Sequence, residues 1–323
     1  RGRGGMCNKV DSSGTECQTI VSNCIFTENQ AWMDNNTDYG GGGMLNIGSL
    51  QTGELSPVVE SCTFERNWSR IQGGGMHNYD AYPTVTNCVF NANEAGAKRG
   101  GGMSNYNSGP EVTNCIFNAN WALEQGGGIY HETSGGTIKN STFYGNGRRT
   151  DTPAGPPPPG PWWLTLTRLA GAIFIFDGRG CTITNVIFDS NAAWEATGAV
   201  EDQTPDSVQV RTTLDSCLFH GNVIRTWTGS EWNEVPEDNY APHALKTGLL
   251  FDSDPLFVNA SDGDFHLRYD SPCIDAGYSF RHGNILGYWP MPATDFEGDK
   301  RIIDGDGDGV HAVDIGADEY KPE

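Results

Sequence analysis

Long apolar runs are missing from this sequence. None approaches the ~20 residues that a membrane-spanning helix requires, so no membrane-spanning segment is expected. Basic charge is scarce: 20 Lys and Arg stand against 41 Asp and Glu, for a net charge of −21. Such a surface repels phosphate backbones and anionic headgroups, which excludes nucleic acid as a partner and suits calcium, saline surroundings or basic partners. No stretch of helical length carries a 3.6-residue apolar period. A phosphate loop, zinc-ligand spacing and a nucleophile elbow are also absent.

What is present is repetition. Seven copies of Phe-x-x-Asn run through the chain, with aromatics at Phe26, Phe64, Phe90, Phe117, Phe143, Phe188 and Phe219. The matching amides are Asn29, Asn67, Asn93, Asn120, Asn146, Asn191 and Asn222. Two residues before the Phe sits Cys24, Cys62, Cys88, Cys115 or Cys217, with Ser141 and Val186 in the other copies. A glycine run followed by Met or Ile precedes each copy, as in Gly73–Asn78, Gly100–Asn105 and Gly126–His131. Spacings of 27 and 26 residues separate these three runs, a period that signifies a stacked repeat.

The runs within a unit alternate and are rich in β-branched and aromatic residues, as in Glu111–Phe117, which argues strand. A unit of this length is too short for a propeller blade of ~40–45 residues. It fits one coil of a parallel β-helix, with coils ~4.8 Å apart and right-handed winding. The expected fold is therefore all-β: a right-handed parallel β-helix of about seven coils over residues 1–222, an irregular connector over 223–248, and a small irregular C-terminal module over 249–323. In such a stack Phe64, Phe90 and Phe117 form one column, and Asn67, Asn93 and Asn120 another that bonds coil to coil. These columns are read as scaffold.

Nine cysteines are present. The column cysteines read as small inward hydrophobes, and Cys7 with Cys17 is the expected disulfide. Cys181 and Cys273 are left uncommitted. The chain opens inside a glycine motif with no visible signal peptide, which reads as a mature or trimmed chain. Two insertions break the period, 29–40 and 145–170. The second carries Pro156–Pro159 and Trp162-Trp163, and either projects as a functional loop or folds back over the coil wall.

Five blocks follow in order: Asp254–Val258, Asp264–Leu267, Ser271–Gly277, Thr294–Gly298 and Val313–Tyr320. Together they resemble the choice-of-anchor Q domain of secreted bacterial proteins. The paired glycine-run and Phe-x-x-Asn motifs are similar to the repeats of polymorphic outer-membrane proteins. These resemblances imply an exported protein, secreted or displayed on the cell surface, and supply no reaction.

Asp304, Asp306 and Asp308 alternate with glycine, and Asp314 lies downstream. This D-x-D-x-D-G pattern is expected to hold a structural calcium ion through Asp304, Asp306, Asp308 and Asp314. Ile315 occupies the position where an EF-hand has its bidentate Glu, so the loop departs from that motif. The plainer reading is a solvated acidic turn.

Contact with a glycan or another partner is assigned to Trp32, Trp68, Arg99, Trp121, Trp162, Trp163, Arg168 and Trp194. Most of these sit in the loops after each Phe-x-x-Asn. Aligned coils would place their aromatic faces and charges in one strip. The plainer reading is that the tryptophans cover coil corners. No two carboxylates are forced together by spacing, as glycoside hydrolysis demands. His77, His131, His220 and His243 are scattered. The sequence thus points to a structural, adhesive or glycan-binding protein without catalysis, able to stack with itself head to tail. The rival class is a lyase or glycosidase acting on acidic polysaccharide along the Trp- and Arg-bearing face.

Overall fold

The computed structural model describes residues 4–10, 18–32, 40–49, 55–147, 171–194, 197–204, 211–227, 232–236, 245–278 and 292–322. One coil shows how the repeat folds. Met76–Tyr79, Thr84–Thr86, Val89–Asn91 and Glu94–Ala95 are four short strands separated by tight bends. Each pairs in parallel with its counterpart one coil away, for example Met76 with Met103, Phe90 with Phe117 and Glu94 with Trp121. Equivalent strands assemble into a seven-stranded sheet built on the glycine-Met segments, a broad fourteen-stranded sheet to which each coil gives two short strands or one long one, and a narrow four-stranded sheet. This is an all-β, right-handed parallel β-helix. The one helical segment among the described residues is a 3-10 turn, Ala260–Asp262. No helix among them is long and apolar enough to cross a membrane.

The bends follow from residue chemistry. Asn23, Asn87 and Asn114 take φ between 51° and 53° at the corner between the paired strands of the broad sheet, and Asn140 and Asn185 take 44° and 54° at the same place within the unbroken strands Gly136–Tyr144 and Cys181–Asp189. Asparagine tolerates this left-handed region better than most residues. At the opposite corner the chain passes so close to its neighbours that a side chain has no room. A Cβ on Gly74 would lie 2.5 Å from both the Glu94 nitrogen and the Gly101 oxygen.

Registry fills the core. Phe26, Phe64, Phe90, Phe117 and Phe143 stack face to face at 4.6–4.8 Å with interplanar angles of at most 4°. Phe188 and Phe219 continue the column. Phe251 adds an eighth ring, 5.5 Å from Phe219. Leu245–Thr247 and Leu250–Phe251 pair onto the coil before them, so the stack runs past residue 222. The motif hides this rung because Phe251 lacks the Asn three residues on. Cys62, Cys88, Cys115 and Cys217 are buried free thiols in the same core. Cys17 lies outside the described residues.

The C-terminal segment folds back onto the stack. Phe257–Asn259 and Asp264–Leu267 form a small antiparallel hairpin. The module packs on the outer face of the broad sheet, where an apolar column points outward. Ile187 and Leu218 meet Leu267, Cys273, Ile274 and Ile315, and Ile116 meets Phe265 and Ala317. Coverage ends partway: Ile116 is 7% exposed, while Ile25, in the same column, is 72% exposed. Buried Arg301 fastens the contact, donating to Asn114 Oδ1 at 3.2 Å and to the carbonyls of Gly316 and Ala317, beside Glu319 at 3.3 Å.

Candidate functional site

The ladder residues are scaffold by their bonding. Each Asn of the Phe-x-x-Asn column, from Asn29 to Asn191, donates from Nδ2 to the Oδ1 of the next at 2.9–3.0 Å. The same Oδ1 atoms accept backbone N–H groups of the preceding coil. A second ladder, unread in the sequence, joins Asn8, Asn46, Asn78 and Asn105 at 2.8 Å. Its signal was the Asn two residues after Met in each glycine motif. In the next coil that column holds His131, which is fully buried with neither ring nitrogen bonded. Burial pushes its pKa down to about 4.

Among the described residues, Trp32, Trp68, Trp121 and Trp194 do not share one register position. Register aligns Gln30, Trp68, Glu94 and Trp121, so a glutamate separates the two indoles. Trp32 lies two residues off this column, yet its ring tilts over Trp68 at 4.5 Å, and it is 56% exposed. The Trp68 indole lies over Gly96, whose missing Cβ makes the room. Trp194 sits in a different sheet, paired with Val223–Trp227. Trp162, Trp163 and Arg168 lie outside the described residues. Arg99 is engaged within the protein. Its Nη1 bonds Glu132 at 2.7 Å, its Nε lies 3.5 Å from Glu124, and its guanidinium sits 4.9 Å over the Tyr130 ring. Two carboxylates thus neutralise the charge that a uronate would need. The reason is registry, which sets residues of neighbouring coils face to face.

The Asp-rich turn converges on a different set of carboxylates from the four the sequence suggested. Asp275, from the block Ser271–Gly277, enters beside Asp304 and Asp306, and their ligand oxygens lie within 4.8 Å of one another. Asp275 accepts N–H groups from Gly305, Asp306 and Ala312 at 2.8, 3.0 and 3.1 Å. Oδ1 of Asp304 is buried and has no partner. Asp308 caps the N–H of Val310 and stays outside the group of three. Asp314 faces away, accepting from Asp275 N at 2.7 Å and Tyr320 N at 2.6 Å. Burial, then the nearby Glu319 charge, pushes its pKa up to about 8. Sequence spacing alone missed Asp275, which is about thirty residues from the loop it completes.

A cleft of about 400 Å³ lies where the module meets the outer face of the broad sheet. Asn91 and Asn118 line the solenoid side, joined amide to amide at 3.0 Å. Phe265 and Phe296 line the module side, with His266, Glu297 and Asp318. His266 Nδ1 lies 2.6 Å from Asp264 Oδ1, and its Nε2 lies 3.7 Å from Glu297 Oε1. Asp318 Oδ2 accepts the Leu267 N–H at 3.0 Å. Burial raises Asp318 to about 7 and raises Glu297 as well. The Asp264 bond raises His266.

Residues 95–239 match the family described as "Right handed beta helix region". No curated protein and no solved structure matches the chain. With parallel strands in register from coil to coil along its sheets, the chain has the fold of a right-handed parallel β-helix.

Proposed function

We propose that this protein is a secreted or cell-surface scaffold, adhesive rather than catalytic, that holds a glycan in the cleft between its solenoid flank and its C-terminal module. The cleft carries this reading. It combines two aromatic side chains with planar amides and carboxylates, a lining that suits sugar rings and their hydroxyls. The terminal blocks' resemblance to the choice-of-anchor Q domain supports export. A structural role for the coils is supported by their closed ladders and by the internal pairing of Arg99. Calcium is proposed as a brace in the Asp-rich turn, held by Asp275, Asp304 and Asp306, an all-oxygen set of the kind that ion prefers.

The test is retention on immobilised neutral and acidic polysaccharides, comparing wild type with Asn91→Ala/Asn118→Ala. Loss of retention in a folded double variant is expected. Equal retention, or none by the wild type, sinks the cleft as the contact surface. A second reading, polysaccharide cleavage, is favoured by one observation: Glu297 and Asp318 place carboxyl oxygens within 4.8 Å in that cleft. Incubation with a uronate panel decides it, since lyase products absorb in the ultraviolet and hydrolysis yields reducing ends. Stacking of a second copy on the terminal rung, where Phe251 is 43% exposed, is the self-assembling form of the proposal. Sedimentation showing only monomers counts against it.

A further inference from the structure

We propose that His266, Glu297 and Asp318 bind a divalent transition metal of the zinc class at the wall of the cleft. The three come from different parts of the module: the strand Asp264–Leu267, the turn after Asp295, and the closing segment before Tyr320. Folding alone unites them, with one ligand atom from each within 4.8 Å of the others. Ligands at ~2.0–2.2 Å from a tetrahedral zinc lie ~3.3–3.6 Å apart. The exposed His266 and Glu297 side chains have the freedom to close that gap.

Orientation of the imidazole is the second observation. Asp264 Oδ1 sits 2.6 Å from Nδ1, which leaves Nε2 as the ring atom facing the other two ligands. Nε2 lies 3.7 Å from Glu297 Oε1, beyond hydrogen-bond range, and releases any proton it carries when a metal binds. A carboxylate behind a histidine is the arrangement that fixes tautomer and ring in metal sites. Asp318 is held from behind in the same way, by the Leu267 N–H at 3.0 Å. Electrostatics agree. Glu297 and Asp318 place carboxyl oxygens within 4.8 Å of each other, where two like charges repel. A dication between them removes that repulsion.

The donor set selects the metal. One imidazole nitrogen and two carboxylate oxygens suit zinc and its neighbours. The all-oxygen group at Asp275, Asp304 and Asp306 suits calcium. Three protein ligands leave zinc an open coordination position. The site stands whether or not a glycan enters the cleft.

The experiment is calorimetric titration of zinc into chelator-stripped protein kept in excess calcium. Uptake of one equivalent is expected. His266→Ala and Asp318→Asn should each weaken it by a hundredfold or more. Asp264→Asn should weaken it by ~10-fold through the lost orientation. Asp308→Asn, outside both groups of ligands, should leave it unchanged. X-ray absorption on the zinc-loaded protein should show one imidazole nitrogen. No uptake by wild type, or equal uptake by His266→Ala and Asp264→Asn, overturns the proposal. So does full displacement of zinc by calcium. Circular dichroism confirms that each variant is folded, and Asp264→Asn, which keeps all three ligands, serves if His266→Ala is not.

Discussion

Replacing Asn93 with Leu tests the central physical claim, that the coils are locked by side-chain amides as much as by packed rings. Asn93 is completely buried. Its Oδ1 accepts from the Asn67 backbone N–H at 3.0 Å and from Asn67 Nδ2 at 2.9 Å. Its Nδ2 donates to the Phe64 carbonyl at 2.8 Å and to Asn120 Oδ1 at 3.0 Å. Leucine keeps the branched four-atom skeleton, so no cavity forms, but its methyls are bulkier than the amide's atoms and overpacking adds to the lost polar satisfaction. The Asn67 N–H loses its side-chain acceptor in a dry interior, and the Phe64 carbonyl loses a donor. Each orphaned buried group costs ~1–3 kcal/mol, so the expected destabilisation is ~2–6 kcal/mol. The assay is urea unfolding followed by far-ultraviolet circular dichroism. Asn118→Ala is the control. Its amide bonds Asn91 on the outer face at 3.0 Å, and its loss should cost under ~1 kcal/mol. Equal midpoints for the two variants would refute the reasoning and leave the aromatic column as the sole lock.

Other outcomes follow from the same geometry. Gly74→Ala drives a methyl into backbone atoms 2.5 Å away. It should lower the unfolding midpoint more than Gly298→Ala, which meets nothing within 4 Å and carries only the backbone strain of its φ of 98°; thermal melts of the pair check this. His131 is neutral and fully buried, with its pKa moved from 6.5 to about 4. A base depressed in the folded state loses stability as pH falls from about 6.5 toward about 4, because only the unfolded chain takes the proton. His131→Asn should remove up to ~3 kcal/mol of that acid-side loss and extend the Asn105 ladder, read from melts at pH 7 and pH 4.5. Calcium at a hundredfold excess over its Kd should stabilise the protein by ~2.7 kcal/mol. Asp275→Asn should abolish that gain, whereas Asp308→Asn should largely keep it.

The repeat was legible because stacking is nearly one-dimensional. When coil follows coil at 26 or 27 residues, identical side chains must lie above one another, so Phe64, Phe90 and Phe117 declare their column in the sequence alone. Asn67, Asn93 and Asn120 do so for the same reason. Where the period slips, legibility fails. Trp32 and Trp68 sit at different offsets from their asparagines, and only strand register shows that one indole leans on the other. The Asn8–Asn105 ladder was visible as a repeated letter, but its inward direction depends on which face of the strand is buried.

By itself the sequence determined the coil, its height and its internal columns, since each depends on local alternation and a fixed period. Only the tertiary structure decided where the last module lies, and with it every candidate site. Asp275 reaches Asp304 and Asp306, His266 reaches Glu297 and Asp318, and Asn114 meets Arg301 across contacts with no period to announce them. An apolar column on the outside of the lower coils draws the module back against the stack. Burial of that column, not any spacing of acidic residues, sets which carboxylates face one another.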